Sequence, residues 1–183
     1  MEATKTTHIQ KVLRYFLLIL AGSILLTISA KIKIPFYPVP MTMQTFVVIF
    51  LGMAFGYKIA LATVLLYLFE GIIGFPVFSN SPEKGVGLSY FMGPTMGYLI
   101  GFLVATFISG FLNLNTNIFK IFLKLMISVS TIYVLGIVWL GTLIGWDKPI
   151  FQLGAAPFLL AELFKMIILT LLAKKIITLR KFI

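Results

Sequence analysis

Two charged residues lie three positions apart in a stretch of the chain that is otherwise almost wholly apolar. Glu162 and Lys165 stand within Ala155-Ala-Pro-Phe-Leu-Leu-Ala-Glu-Leu-Phe-Lys-Met-Ile-Ile168. A spacing of three places both side chains on one face of a helix. A carboxylate accepts hydrogen bonds and an ammonium group donates them, so the pair suits a ligand with adjacent N–H and C=O groups. The alternative is a pair that only neutralises its own charge.

Several further polar residues are candidates for the same site. Gln44 follows a proline-rich stretch, and Asn80 and Lys84 belong to a loop rich in Gly and Pro, so that all three could close over a ligand. The alternative for each is an ordinary loop residue. Glu70, near the end of an apolar segment, either lines a cavity or reaches the membrane interface.

The signatures of soluble enzymes are missing from the sequence. There is no Gly-x-x-x-x-Gly-Lys phosphate loop, no cysteine, a single histidine (His8) and only five acidic residues. These residues are too few for a metal-dependent membrane hydrolase. We therefore expect no enzymatic activity, no cofactor and no bound metal, which leaves transport, binding or a structural role.

The composition predicts an all-α integral membrane protein. Hydrophobic residues make up 60% of the 183 residues and charged residues 11%, whereas about a quarter of an ordinary soluble domain is charged. Lipid cannot satisfy backbone N–H and C=O groups, and the alternating pattern of a membrane barrel is absent, so the spans should be helices. We predict one transmembrane domain over residues 1–183, a compact bundle of about six helices at roughly 12–30, 43–56, 58–74, 88–111, 119–145 and 154–178.

Two of these boundaries leave alternatives. The second and third spans are separated only around Gly56, Tyr57 and Lys58, so they form either a tight helical hairpin or one long broken helix. The N-terminal apolar run follows Lys11 and Arg14, as in a signal peptide, but it is long and lacks a clean cleavage site. We therefore interpret it as a retained first helix.

The distribution of the basic residues predicts the orientation of the bundle. The net charge of +10 is confined to the chain ends and to short connections, which is a topology signal and not a nucleic-acid surface. With both termini cytoplasmic, the inside carries the larger set: Lys5, Lys11, Arg14, Lys58, Lys120, Lys124, Lys174, Lys175, Arg180 and Lys181. The outside then carries the smaller set: Lys31, Lys33, Lys84 and Lys148. This bias requires an even number of spans.

Two outer connections and one helix face have distinctive compositions. Residues 31–40 carry Pro35, Pro38 and Pro40, which favour a stiff, extended strap, and residues 74–93 form a long loop. Both are predicted on the outer face, where they could cover a cavity. In the fourth span, small residues recur at every fourth position, at Gly93, Gly97, Gly101, Ala105 and Ser109. Such a seam allows close packing of helices in lipid.

Four strings, in order, carry a family resemblance. They are Pro38-Val-Pro-Met-Thr-Met-Gln-Thr45, Leu65-Leu-Tyr-Leu68, Gly74-Phe-Pro-Val-Phe78, and Gly93-Pro-Thr-Met-Gly-Tyr98 with Gly101-Phe102. With the lengths between them, they resemble the BioY family, the biotin-specific substrate-binding (S) components of energy-coupling factor (ECF) transporters. The match runs from about residue 12 to 175. It implies a six-helix S-component fold in the cell membrane that binds biotin from outside.

The resemblance also implies roles for individual residues. The family carries Pro-Phe and Asp-x-x-Lys on its last helix, where this chain has Pro157-Phe158 and Glu162-x-x-Lys165, a carboxylate one methylene longer. The carboxylate would accept an N–H of the biotin ureido ring, and the lysine would donate to its carbonyl. Asn80 is similar to the family's polar loop residue, and Lys84 is assigned to the valerate carboxylate from its charge and side. The aromatic residues Tyr37, Phe78 or Tyr90 would carry the bicyclic ring.

Partners follow from the same resemblance. An S component pairs with a transmembrane coupling protein and two cytoplasmic ATPases, and some members are thought to work alone. Other S components dock through Ala-x-x-x-Ala in their first helix, and the nearest spacing here is Ser23 with Thr27. The alternatives are an S component for another small vitamin, or a membrane scaffold in which Glu162 and Lys165 only pair.

Overall fold

The chain folds into a bundle of long helices connected by two very short strands and several irregular loops. The computed structural model describes residues 2–113 and 115–182, and side chains within 8–113 and 115–180. In chain order the elements are α1 (Glu2–Lys31), β1 (Lys33–Ile34), β2 (Met41–Thr42), α2 (Gln44–Ile72), α3 (Leu88–Phe91), α4 (Met96–Phe111), α5 (Ile118–Ile144), α6 (Ile150–Gly154) and α7 (Leu159–Ile176). Two 3₁₀ segments, Ala156–Phe158 and Ile177–Phe182, flank α7. The strands β1 and β2 pair antiparallel and close the proline-rich strap between them.

Helix α2 reverses its direction at Gly56. This residue has φ 71° and ψ 170°, a conformation that a glycine adopts without strain. In a straight helix Gln44 and Tyr67 would lie about 35 Å apart. Instead, Nε2 of Gln44 donates to the Tyr67 hydroxyl at 2.7 Å. Residues 44–55 and 57–72 are therefore two antiparallel segments, which decides between the two alternatives in favour of the helical hairpin.

The first segment of α2 lies at the centre of the bundle. Val48, Ile49, Leu51 and Met53 within it are fully buried. Helix α2 packs against α1, α4 and α7, α4 packs against α5, and α5 packs against α7. Helix α1 is peripheral, because only 22% of the residues in its most apolar 18-residue stretch are buried. Helices that are apolar on their buried and their exposed sides alike are typical of proteins in lipid.

The segment predicted as one span over 88–111 is divided in the structure. A short helix, α3, ends at Phe91, and α4 begins only at Met96. Pro94 lies in this break, where its missing N–H and its effect on the preceding residue disfavour a continuous helix. Gly93 lies outside the two helices, and its carbonyl oxygen accepts a hydrogen bond from Nε1 of Trp139 at 2.9 Å. Gly93 therefore belongs to the loop, not to the small-residue face of the helix.

The last two long helices differ in how closely they follow the sequence pattern. Helix α5 covers Ile118–Ile144, against a predicted span of 119–145. The predicted span 154–178 begins instead with the end of α6 and a 3₁₀ turn, and α7 itself starts at Leu159. Pro157 stands within that 3₁₀ turn, near its start. A proline is tolerated in the first turn of a helix but not in its interior, which sets the start of α7.

Close contact between α4 and α5 depends on the remaining glycines of the predicted seam. A Cβ atom added at Gly97 would lie 2.4 Å from the carbonyl oxygen of Leu135, and one added at Gly101 would lie 2.6 Å from the Cα of Ile132. Further along, Ser109 faces Gly52 of α2, where an added Cβ would lie 2.0 Å from the serine Oγ. The predicted packing seam is present, but Gly97 and Gly101 contact α5 whereas Ser109 contacts α2.

The two ends of the bundle have different constructions. At one end, the strap, which runs in the structure from the end of α1 to the start of α2 (residues 31–43) and contains β1 and β2, meets the loop 73–87. At the opposite end Arg180 donates to the carbonyl oxygens of Met53 at 2.9 Å and of Gly110 at 3.2 Å. These are unpaired carbonyls in the last turns of segment 44–55 and of α4, and a guanidinium ion suits the negative ends of two helices.

The predicted all-α fold class with about six helical segments is confirmed. Within the described residues, four helical stretches are long and apolar enough to cross a membrane, namely His8–Lys31, Gln44–Ile72, Ile118–Ile144 and Ile150–Arg180, and Met96–Phe111 is a shorter apolar helix. Since α2 consists of two antiparallel segments, the described residues form six helical segments besides the short helices α3 and α6.

The seam gives a direct test of the helix packing. We expect Gly101→Ala to lower the free energy of unfolding by about 1–3 kcal/mol, because the new methyl group meets the backbone of Ile132 and not a flexible side chain. Thermal melting of the purified protein in detergent measures the change. Val138→Leu, which adds a methylene at a half-exposed site on α5, is the control and should leave the melting temperature unchanged. Equal melting of wild type and Gly101→Ala would contradict the close approach.

Candidate functional site

The two charged residues of α7 form a buried ion pair. Nζ of Lys165 lies 2.7 Å from Oε1 of Glu162, and the two residues are 7% and 3% exposed. The hydroxyl of Thr45, from the start of α2, donates to the same Oε1 at 2.8 Å and accepts from Lys165 Nζ at 2.9 Å. Carboxylate, ammonium and hydroxyl thus form a closed triangle that joins α7 to α2.

The ammonium group of Lys165 has no free donor. Besides Glu162 and Thr45, its Nζ donates to the backbone carbonyl oxygen of Thr42 at 2.6 Å. Since a lysine has three N–H donors, all three are used. The carboxylate is different, because its second oxygen, Oε2, is buried and has no hydrogen-bond partner of normal geometry among the described groups, although Tyr133 on α5 is close enough to the carboxylate to interact with it. An unpaired buried carboxylate oxygen costs free energy and favours a ligand with N–H or O–H donors.

A cavity lies directly in front of this carboxylate. It is a narrow cavity with about 50 Å³ of free volume. Its lining comes from the strap and α2 (Val39, Pro40, Met41, Thr42, Gln44, Thr45), from the second loop through α4 (Phe78, Ser79, Tyr90, Thr95, Tyr98, Leu99, Phe102), and from α5 to α7 (Ile132, Tyr133, Phe158, Glu162). Glu162 reaches this wall and Lys165 stands behind it.

The position of α7 explains why Glu162 points into the cavity. Phe158, in the 3₁₀ turn that Pro157 initiates, lines the wall, and Glu162 follows in the first turn of α7. A negative charge is favoured near the N-terminus of a helix, where backbone N–H groups are unpaired. The 3₁₀ turn before α7 therefore brings the Glu162 carboxylate to the cavity wall, and the N-terminus of α7 stabilises its negative charge.

Gln44 lies on the cavity wall beside the charged triangle. Its Nε2 donates to the Tyr67 hydroxyl, and that hydroxyl donates to the carbonyl oxygen of Val77 at 3.2 Å. The hydroxyl of Thr42 lies 3.3 Å from Gln44 Oε1. This chain of hydrogen bonds connects the strap, both halves of α2 and the second loop, so Gln44 has a structural role as well as a place at the site.

Aromatic side chains form the opposite wall. The rings of Phe78 and Tyr90 are stacked with their centroids 4.6 Å apart, and the Tyr90 hydroxyl lies 3.4 Å from Oγ of Ser79. Tyr133 of α5 and Phe158 of the 3₁₀ turn also line the cavity, and the centroids of these two rings are 6.1 Å apart. A flat or bicyclic ligand would therefore contact aromatic side chains. Tyr37, the third aromatic candidate, is 83% exposed and does not line this cavity.

Asn80 and Lys84 lie at a smaller pocket next to the main cavity. They line it together with Tyr90, Gly93, Pro94 and Thr95. Tyr90 and Thr95 are shared with the main cavity, so the two spaces are neighbours across these side chains. Oδ1 of Asn80 accepts from Lys33 at 3.1 Å, and the ammonium group of Lys84 lies 5.2 Å from the centre of the exposed Tyr37 ring. Both residues thus belong to the rim of the site.

Two lysines of the strap hold the second loop in place. Lys31 donates to the carbonyl oxygens of Phe78 and Ser81 at 2.7 and 2.8 Å, and Lys33 donates to that of Ser79 at 2.6 Å. Since Phe78 and Ser79 line the cavity, these bonds fix one of its walls. The sequence predicted that the two outer connections cover a cavity, and their mutual contact is made by these lysines.

Glu70 lies outside the cavity. Its carboxylate accepts a hydrogen bond from the hydroxyl of Ser23 on α1 and lines a separate surface groove with residues of α1 and the second loop. Ser23 is fully buried. The expected docking pair Ser23 and Thr27 is therefore wrong for Ser23, because a side chain buried against α2 cannot present itself to another protein.

Three residues of the site were not predicted individually from the sequence. Thr45 completes the charged triangle, Thr42 accepts from Lys165 through its backbone, and Tyr133 interacts with Glu162 from α5. Thr45 belongs to the string Pro38–Thr45, but a threonine at the end of a strap has many ordinary roles. Thr45 is the second residue of α2, and the contact of this residue with α7 is visible only in three dimensions.

The arrangement is suited to binding rather than to catalysis. It offers a carboxylate oxygen, a closed set of hydrogen bonds behind it and aromatic walls. Among the residues that the structure describes, no group of three His, Cys, Asp or Glu side chains could hold a metal ion. The carboxylate oxygen and the aromatic walls would suit a small polar and cyclic ligand.

Comparison with known proteins gives a consistent result. The family model described as "BioY family" matches residues 2–182. The chain is 32% identical over 152 residues to the "Probable biotin transporter BioY" of Pyrococcus horikoshii, which covers 83% of this chain and 89% of that relative. It is 33% identical over 153 residues to the "Biotin transporter BioY" of Thermotoga maritima, with 83% of this chain and 89% of that relative covered.

A solved structure shows the same fold. The crystal structure of "the S-component for biotin from an ECF-type ABC transporter" matches with a TM-score of 0.76 and 21% sequence identity, covering 91% of this chain and 92% of that chain. At this identity the match supports the S-component fold predicted from the sequence. Together with the family match over nearly all residues, it leads to one conclusion: this chain belongs to the BioY family.

Proposed function

We propose that this protein binds biotin in the cavity in front of Glu162 and takes it up across the cell membrane as the substrate-specific subunit of an ECF-type transporter. The observation that carries the proposal is the buried Oε2 of Glu162, which faces a cavity and has no hydrogen-bond partner of normal geometry among the described groups. Relatives at 32% and 33% identity are named biotin transporters. The protein is a multi-pass membrane protein and not an enzyme.

The ureido ring of biotin has the chemistry that this carboxylate requires. Each ureido N–H can donate to Oε2 of Glu162, and the ring stays neutral, so no further charge enters the buried site. Lys165 would reach the ureido carbonyl only by giving up one of its three present acceptors. Its main role is then to hold Glu162, and donation to the ligand would require exchange with Thr45 or with the carbonyl of Thr42.

The remaining parts of biotin fit the other walls. The bicyclic ring would contact the stacked pair Phe78 and Tyr90 and the rings of Tyr133 and Phe158. Gln44 would contact the ligand from the strap side. The valerate chain would pass Tyr90 into the neighbouring small pocket, where Asn80 and Lys84 supply a hydrogen-bond donor and a positive charge for its carboxylate.

The membrane arrangement follows from the two ends of the bundle. We assign the six helical segments to six crossings, with both termini and the Gly56 turn on the cytoplasmic side and the cavity opening outward. A transmembrane coupling protein and a pair of cytoplasmic ATPases would energise uptake by toppling the bundle in the membrane. Since Ser23 is buried, the partner would contact α1 on its exposed face, which includes Phe16, Leu20 and Ile24.

Binding of biotin by the purified protein tests the proposal. Isothermal titration should show saturable binding at micromolar or lower concentration, and desthiobiotin, which keeps the ureido ring, should also bind. Uptake of radiolabelled biotin by cells that express the chain with and without an energising module then tests the partner. If another small vitamin binds and biotin does not, the chain is an S component of different specificity. If neither binds, the scaffold alternative holds.

Substitutions in the charged triangle should weaken binding. We expect Glu162→Gln and Lys165→Met each to cost about 1–3 kcal/mol of biotin binding free energy, because each leaves a buried polar group without its charged partner. Titration of both variants with biotin measures the loss. Melting temperatures without ligand show whether the fold is retained.

The matched control removes a charge at the same end of the bundle. Asp147 pairs with Lys148 at 3.8 Å, and its side chain is 76% exposed, so Asp147→Asn should leave the affinity for biotin unchanged. Unchanged affinity in Glu162→Gln, with an intact fold, would exclude the carboxylate as the ureido acceptor.

The assignment of Lys84 is tested by removing the ligand's charge instead of the protein's. Lys84→Ala should weaken biotin binding by roughly fivefold, as expected for a partly solvated charge pair, and should leave the binding of biotin methyl ester unchanged. Titration of both ligands into wild type and variant gives the comparison, with Lys148→Ala as an outer-lysine control. An equal loss for acid and ester would show that Lys84 acts on the fold of the loop and not on the carboxylate.

A further inference from the structure

A long apolar groove runs along the outer surface between α4 and α5. It provides about 690 Å³ of open space, and its walls include Val104 of α4 and Leu123, Ile127, Val134 and Leu135 of α5. Ile127 and Val134 are 60% and 59% exposed. The ligand cavity lies on the other side of the same two helices, where Leu99, Phe102, Ile132 and Tyr133 line it. The groove is therefore separate from the site described above.

The dimensions of the groove match half a membrane. From Leu123 to Leu135, a helix rises about 18 Å, which is slightly more than half of a hydrocarbon core of about 30 Å. A straight acyl chain from one leaflet covers this distance. The groove is open along its side, so such a chain can enter laterally from the bilayer.

Two lysines stand at one end of the groove. Lys120 and Lys124 are one helical turn apart on α5 and continue the stripe that includes Ile127. Among the described side chains, neither lysine has an ion pair or a hydrogen-bond acceptor for its ammonium group. The four described carboxylates, Glu70, Glu83, Asp147 and Glu162, lie toward the opposite end of the bundle. No acidic side chain of the described chain balances these two charges.

We propose that this groove binds one anionic phospholipid, with its phosphate between Lys120 and Lys124 and an acyl chain along the apolar floor. Charge complementarity selects this occupant, because a neutral chain would leave both ammonium groups without a counter-ion at the membrane surface. Basic residues beside an apolar groove are the expected recognition elements for acidic lipids. With the proposed orientation, the lipid belongs to the cytoplasmic leaflet.

A second pair of lysines at the same end serves as the matched control. Lys174 and Lys175 carry the same charge near the end of α7 and are exposed. They are adjacent in sequence, so their side chains point to different sides of the helix. General attraction of basic residues to acidic lipid would involve both pairs equally, whereas a formed site involves only Lys120 and Lys124.

Native mass spectrometry of the purified full chain with added phosphatidylglycerol or phosphatidylcholine tests the proposal. Wild type should retain one phosphatidylglycerol more tightly than phosphatidylcholine, and the double variant Lys120→Gln and Lys124→Gln should lose roughly tenfold to thirtyfold in phosphatidylglycerol affinity, at about tenfold or less per lysine. The variant Lys174→Gln with Lys175→Gln should bind as wild type does. Ile127→Trp, which fills the groove and keeps both charges, should also weaken binding.

Two results would overturn the proposal. One is equal affinity of wild type for the anionic and the zwitterionic lipid. The other is an equal loss in the α5 and α7 double variants, which would indicate unspecific attraction. Circular dichroism melting checks that each variant is folded. If the glutamine variant does not fold, Lys120→Arg with Lys124→Arg keeps the charge, and loss of lipid binding in that folded variant would count against a phosphate contact. None of these readouts involves biotin, so they are independent of the proposed transport function.

Discussion

The structure depends on the need to neutralise a carboxylate in the interior of a membrane bundle. An ionised side chain there is tolerated only with an opposite charge and further hydrogen bonds. Glu162 obtains them from Lys165 on its own helix and from Thr45 on α2. Lys165 in turn requires the backbone carbonyl of Thr42, at the end of the strap. One buried charge therefore fixes how α7, α2 and the strap are arranged.

This arrangement leaves one oxygen of the Glu162 carboxylate without a hydrogen-bond donor. Three donors of Lys165 meet three acceptors, while the second oxygen of Glu162 meets no donor of normal geometry within the described chain. The ion pair neutralises its own charge and still presents one carboxylate oxygen, and its action as a clamp on both the N–H and the C=O groups of a ligand stays a prediction. The lysine orients the carboxylate, and the carboxylate presents a single acceptor. A neutral N–H donor satisfies it without changing the charge of the site.

The sequence predicted the parts of this site that have a local cause. Glu162 and Lys165 were identifiable because charges are rare in apolar segments, and the resemblance to the family pointed to Asn80 and to the loop after Phe78. Thr45 was not identifiable, since its contact with Glu162 spans 117 residues of sequence. The reversal at Gly56 remained ambiguous because a glycine is compatible with a kink and with a turn. The break at Pro94 was hidden by the small-residue spacing that begins at Gly93.

Counting lysines by their side of the membrane also conceals a physical difference between them. Lys31 and Lys33, on the predicted outer side, donate to backbone carbonyls of the second loop and thereby hold a wall of the cavity. Lys120 and Lys124, on the predicted inner side, have no acceptor within the described chain. The ammonium groups of the outer lysines donate to the protein's own backbone and so stabilise the fold. The ammonium groups of the inner lysines are available to groups outside the described chain. At the end of a helix at a membrane surface, such groups include lipid phosphates.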